Sequence, residues 1–165
     1  MKKRIIISVL LILFVAISSV NLVSAWWDTF ECEGFNFDMP DGLTKAQGFS
    51  PSSPPNHIEL ISSDRSKWDY NFLDLSETHL EKLPDSLNIA ENHTEGNLTI
   101  VKGQLNDRIY NSMFDGENIT YAEFDKDGKH FYLVMEHYNT ITLDEINLND
   151  DIELVKKINE SIQVK

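Results

Sequence analysis

The 165-residue chain contains a single cysteine, Cys32. A lone thiol cannot close an intramolecular disulfide, so the sequence is not a disulfide scaffold. Cys32 also stands seven residues beyond the small-residue stretch ending at Ala25, which misplaces it for lipid acylation. Its alternation with Phe30 reads as a small buried strand residue, with cross-linking to a partner or a nucleophilic role as the alternatives. Basic residues are scarce as well: 14 Lys and Arg stand against 27 Asp and Glu. Such a surface repels phosphate backbones and anionic headgroups, which excludes nucleic acid as a partner and leaves cations, basic partners or plain solubility.

Linear catalytic motifs are missing. The sequence has no Gly-x-Ser-x-Gly, no Ser-x-x-Lys in a β-lactamase context and no glycine-rich phosphate loop. The five histidines, at positions 57, 79, 93, 130 and 137, include no His-Glu-x-x-His or comparable zinc spacing. No catalytic residue, cofactor or metal ligand is therefore assigned, although a spatial triad would leave no linear trace.

The N-terminus is informative. Lys2, Lys3 and Arg4 precede an apolar run over residues 5–20 and then Val23-Ser24-Ala25. This is the grammar of a secretory signal peptide over residues 1–25, with Trp26 as the first mature residue. The competing reading is an uncleaved anchor over residues 5–27, with Trp26 and Trp27 at the membrane interface; Ser18, Ser19 and Asn21 interrupt it. Either reading makes residues 26–165 extracytoplasmic, secreted or held at the outer face of the membrane, with the membrane touched only through an uncleaved N-terminal segment. Discounting residues 1–25 removes three basic and no acidic side chains, leaving 11 against 27, a net charge of −16.

The remaining 140 residues suffice for one domain with its own core. Phe30 and Cys32, then Phe35, Phe37 and Met39, alternate as two short strands joined at Gly34. Pro40-Asp41-Gly42 turns the chain, and the Ser/Pro run at 50–55 makes residues 41–57 a surface loop. Strands are expected at 58–61 and 70–75, and Ser76 reads as the N-cap of a short helix carrying Leu80 and Leu83 up to Pro84. Extended segments at 98–102 and 105–114 are separated near Gly103.

Asp127-Gly128 is the preferred pair for a type I′ hairpin joining strands at 119–125 and 129–138. The implied register pairs Phe124 with Phe131, Ala122 with Leu133 and Thr120 with Met135 on one face. Tyr121 and Val134 fall on the other, so both faces want cover. His130 and His137 point to opposite faces. Ile152, Val155, Ile158 and Ile162 recur at helical spacing, with Asp150 and Glu153 in the form of a capping box.

The segment Gly34-Phe35-Asn36-Phe37-Asp38-Met39-Pro40-Asp41-Gly42, the hairpin through Phe124, Gly128 and Tyr132, and the ending Ile158-Asn159-Glu160-Ser161-Ile162 together resemble the Mog1/PsbP-like fold over about residues 29 to 163. The resemblance implies an α+β sandwich, an antiparallel sheet flanked by helices with a C-terminal amphipathic helix. It also implies members that bind or help assemble other proteins rather than catalyse, and it brings no active-site motif.

Acids at 144–153 offer oxygen ligands for calcium without EF-hand spacing, and a helix start explains them equally. Asp125-Lys126-Asp127-Gly128 opens like a calcium loop but fits the hairpin turn better. Four glycosylation sequons begin at Asn92, Asn97, Asn118 and Asn159, with Asn92 and Asn97 expected in a loop around Gly96. The expected function is an exported or cell-surface non-catalytic domain that binds an unknown envelope protein or surface component. The alternative is a small secreted hydrolase using Glu123, Asp125 and His130; a third reading is calcium-dependent adhesion.

Overall fold

The computed structural model describes residues 27–40, 42–46, 56–62, 68–77, 83–106 and 117–165. The export signal lies outside these residues. In chain order the described elements are β1 (Trp27–Glu31), β2 (Phe35–Pro40), β3 (Leu43–Lys45), β4 (His57–Ser62), β5 (Tyr70–Ser76), a 3-10 turn (Leu83–Ser86), β6 (Leu87–Glu95), β7 (Leu98–Leu105), β8 (Asn118–Lys126), β9 (Lys129–His137), α1 (Leu148–Ser161) and β10 (Gln163–Val164).

The β8–β9 hairpin sets the frame. Asp127 and Gly128 have φ of 51° and 81°, the left-handed values that a type I′ turn requires at both central positions. The observed register is the expected one, from Lys126 opposite Lys129 through Phe124–Phe131 and Ala122–Leu133 to Thr120–Met135. The hairpin lies within a seven-stranded sheet of order β3-β4-β5-β9-β8-β7-β6, and every pairing in it is antiparallel.

One face of this sheet is covered by α1 and by a second, three-stranded sheet of order β1-β2-β10. Phe35, Phe37 and Met39 from β2 join Leu60, Leu73, Phe124, Phe131, Leu133, Val155 and Ile158 in the main core. Phe35 meets Phe131 edge-on, with ring centroids 5.1 Å apart, a favoured aromatic geometry. The other face carries a smaller cluster of Leu83, Val101, Leu105, Ile119, Tyr121 and Val134. Apolar cover on both faces is what the hairpin pattern demanded.

The helix buries Leu148, Ile152, Val155 and Ile158, the stripe that its spacing dictates. Its N-cap is Asn147, whose Oδ1 accepts from the Asn149 amide at 3.2 Å and whose Nδ2 donates to Asp150 Oδ2 at 2.8 Å. The expected Asp150–Glu153 capping box is thus displaced by one turn, because burial of Leu148 starts the helix earlier.

Other expectations are corrected. The loop at 41–57 contains β3, since Leu43 is buried and pairs opposite Ser62 at the sheet edge. Ser76, expected as a helix N-cap, is the last residue of β5, paired with both His57 and Tyr132. Residues 78–82 of the expected helix lie outside the described ones, and Pro84 sits in the 3-10 turn. Cys32 is half-buried just beyond β1, with Sγ 3.6 Å from the Phe35 carbonyl oxygen. Where flanking helices were expected, the described residues place one helix beside a small sheet.

β7 runs unbroken through Gly103, and the nine-residue β6, which no apolar alternation announces, pairs along it. Gly103 is required there by proximity: a Cβ would lie 2.7 Å from the Asn88 carbonyl oxygen. Gly103→Ala is expected to cost about 1–3 kcal/mol in urea unfolding, as overpacking against backbone does. Gly96→Ala, at a turn with φ of +63° and open space around it, should cost only the roughly 1–2 kcal/mol of a left-handed alanine. A neutral Gly103→Ala would mean that β7 breaks where the sequence suggests.

Candidate functional site

The face of the large sheet opposite α1 gathers polar side chains by strand parity. Residues i and i+2 of a strand share a face, so His57 and Glu59 of β4 project together, opposite to Ile58 and Leu60 in the main core. The register sets Glu59 against Asp74 and His57 against Ser76. His57 Nε2 lies 2.9 Å from Asp74 Oδ1 and 3.4 Å from Glu59 Oε1, with the His57 and Asp74 side chains 5% and 7% exposed and Glu59 20%. One donor atom from each of the three falls within 4.8 Å of the others. Each also engages further neighbours, so none is an orphan. Burial alone would lower the imidazole pKa, but the hydrogen bond and charge of Asp74, with the charge of Glu59, outweigh it and hold His57 above its ordinary value. No sequence motif marks this triplet, because strand pairing brings position 74 to positions 57 and 59.

The sequence-derived cluster lies on the same face. His130 Nδ1 is 2.6 Å from Asp125 Oδ1 and Nε2 is 4.0 Å from Glu123 Oε2. The His130 ring stands edge-on to Tyr132 at 4.7 Å, and Tyr121 Oη donates to Glu123 Oε2 at 3.4 Å. The three side chains meet, but they are 42%, 59% and 38% exposed for His130, Asp125 and Glu123. Ion pairs as exposed as these contribute little.

A second polar group is buried on the helix side. Thr120 Oγ1 donates to Asp151 Oδ2 at 2.5 Å and lies 2.9 Å from His137 Nε2. The hydroxyl has one proton, committed to Asp151, so His137 Nε2–H is the donor to the hydroxyl oxygen. His137 is 1% exposed and Asp151 is the fourth residue of α1, so the chain fastens the helix to β8 and β9. The neighbouring Tyr70 ring stands edge-on to His137. Burial first, then the charges of Asp151 and Asp69, raise the Tyr70 phenol above its ordinary value.

The acids at 144–153 do not converge on a cation site. Glu145 Oε2 accepts from the Thr142 amide and hydroxyl, Asp150 from Asn147, and Asp151 turns inward to Thr120. Asp127 occupies the hairpin turn. Of the sequon asparagines, Asn92 stands exposed in β6 rather than in a loop, opposite Val101. Asn97 is in the β6–β7 turn, its Nδ2 donating to the Asp125 carbonyl at 2.8 Å. Asn118 Nδ2 donates to the Ile141 carbonyl at 2.7 Å, and Asn159 is half-buried on α1.

Among the described residues, one α-helix and a small sheet lie on the same face of a large antiparallel sheet, and the comparison with solved structures gives this α+β arrangement as a Mog1/PsbP-like fold. A mutant of the protein Mog1 superposes with a TM-score of 0.51 over 84% of this chain and 95% of that one, at 10% identity. The Saccharomyces cerevisiae Ran-binding protein Mog1p gives 0.49 over 84% and 96%, also at 10% identity. A solution structure of cyanobacterial PsbP from Synechocystis gives 0.45 over 86% and 94%, at 15% identity. The likeness at these identities is one of fold. No protein-family model and no curated protein matches the sequence.

Glu136 gives the outer face a titration near neutrality. Burial pushes its carboxyl up to about 7; the charge of Glu117 adds to this, while the Asn71 side chain and His137 oppose it. The folded state then holds the proton more tightly than the unfolded chain, so stability falls as pH rises from 4.5 to about 7 and the loss is complete above that. Glu136→Gln removes this loss. Its melting temperature relative to wild type is expected to rise between about pH 5 and about pH 8; a pH-independent difference would contradict the assignment.

Proposed function

We propose that the chain is an exported, non-catalytic binding domain that recognises a protein of the cell envelope by strand addition along β6. The observation that carries the reading is the β6 edge. It ends the seven-stranded sheet, runs nine residues, is exposed along most of its length, and has no strand paired to its outer side among the described residues. Natural proteins normally blunt such edges, because a row of open N–H and C=O groups templates pairing with another chain. Strand addition is a recurring mode of peptide recognition in which backbone bonds give affinity and alternate side chains give specificity.

The composition of the edge supports this use. Ile89, 49% exposed, supplies an apolar contact on the outer face of β6. On the helix side, Glu91 is paired with Lys102 at 2.9 Å and Glu95 with Lys156 at 2.5 Å, pairs with exposed carboxylates that add charge to the edge but little stability. The net charge of −16 beyond residue 25 favours a partner whose added segment is basic. Export rests on Lys2 to Ala25, and among the described residues no helix is long and apolar enough to cross a membrane. Of the sequon asparagines, Asn92 is exposed on β6, where a glycan would compete with an added strand, whereas Asn97 and Asn118 each donate from Nδ2 to a backbone carbonyl. The hydrolase alternative is disfavoured by the exposure of Glu123, Asp125 and His130.

Cross-linking of the full chain in its own envelope, followed by identification, tests the reading. Ile89→Lys places a charge on the edge at an exposed site and should change stability by no more than about 0.5 kcal/mol. Recovery of the cross-linked partner is expected to fall several-fold in this variant. An unchanged partner yield would assign binding to another surface, and no specific cross-link in the wild type would remove the proposal.

A further inference from the structure

The geometry points to a divalent transition-metal site formed by His57, Glu59 and Asp74, of the class that takes Zn2+. Metal–ligand distances of about 2.0–2.2 Å place two ligand atoms roughly 3.0 Å apart at a right angle and roughly 3.4 Å apart at a tetrahedral one. The observed separations from His57 Nε2, 2.9 Å to Asp74 Oδ1 and 3.4 Å to Glu59 Oε1, have those lengths. All three donor atoms lie within 4.8 Å of one another, so closing Glu59 and Asp74 around a cation needs side-chain adjustment on strands already in register.

The donor set selects the metal class. An imidazole nitrogen favours Zn2+ and its neighbours in the first transition row, whereas Ca2+ and Mg2+ prefer sites made wholly of oxygen. Two carboxylates supply charge that balances a dication. Low exposure of the His57 and Asp74 side chains weakens solvent screening of that attraction. The scaffold is rigid: two ligands stand on one strand at positions i and i+2, and the third stands on the adjacent strand in register. Three protein ligands leave a fourth position open to water or to an added group. The site is separate from the β6 edge, with β9, β8 and β7 lying between, so it stands or falls independently of the partner-binding reading.

The test is calorimetric titration of the full chain, in mild detergent and stripped with a chelator, against ZnCl2 and in parallel against CaCl2. One Zn2+ per chain is expected, with binding at least about tenfold tighter than Ca2+ and a melting temperature that climbs with free Zn2+. Co2+ in the same site is expected to give visible d–d absorption that Zn2+ abolishes. Changing an outer-shell partner of a metal commonly costs 10- to 100-fold in affinity, so His57→Gln and Asp74→Asn should each cost about 100-fold or more. Glu59→Gln changes the most exposed of the three ligands, which keeps the test decisive where a buried variant fails to fold. Glu160→Gln, exposed on α1, should leave affinity unchanged. Absence of Zn2+ heat and of any melting shift in the wild type overturns the proposal, as does Zn2+ affinity retained within about threefold in the folded ligand variants.

Discussion

The parity of the β8–β9 hairpin is the constraint on which the other features depend. Side chains alternate with period two along a strand, so a slip of one residue would turn every inward group outward. The type I′ turn at Asp127 and Gly128 removes that freedom. It commits Phe124, Phe131, Leu133 and Met135 to the face covered by α1 and β2, and Tyr121 and Val134 to the opposite face. Because β9 also pairs with β5, and β5 with β4, the same parity passes outward. It sends Leu73, Leu75, Ile58 and Leu60 to the main core and turns Asp74, His57 and Glu59 away from it.

Apolar packing alone does not specify how a helix sits on such a face, because leucine and isoleucine surfaces tolerate sliding. The buried chain from His137 through Thr120 to Asp151 supplies direction. A buried polar group left unbonded costs more than its bond contributes, so the chain penalises displaced arrangements of α1 more than it stabilises this one. At the other end of the helix, Ser161 Oγ donates to the Ile158 carbonyl and accepts from the Asp38 amide at 3.0 Å, tying α1 to β2. The small sheet, the helix and the large sheet are thereby held in one arrangement.

Features encoded by local chemistry were legible in the sequence. Asp-Gly in the hairpin, alternation in β2 and the 3-4 spacing in α1 each follow from a single stretch of chain, and the overall likeness to the Mog1/PsbP-like fold followed from their order. Features created by pairing were not. β6 reads Leu-Asn-Ile-Ala-Glu-Asn-His-Thr-Glu, with no apolar alternation, because an exposed edge has little inward face to bury; its strand character comes from β7. Gly103, which resembles a breaker in isolation, lets β6 approach closely. His57, Glu59 and Asp74 become neighbours only through the β4–β5 register, while Glu123, Asp125 and His130, close enough around one turn to be grouped by sequence, meet at an exposed surface.

Function on this account depends on an asymmetry of the large sheet. Its middle is buried on both faces, and one end is a strand, bulged between Ile89 and Glu91, whose outer edge no other described strand covers. Residue-resolved hydrogen exchange of the full chain under native conditions tests this most directly. The account expects the slowest amides in β8 and β9, and an alternating pattern in β6, where amides directed at β7 are protected and those on the outer edge exchange orders of magnitude faster. Uniform protection along β6 equal to that of β9 would contradict it, because the edge would then already be occupied.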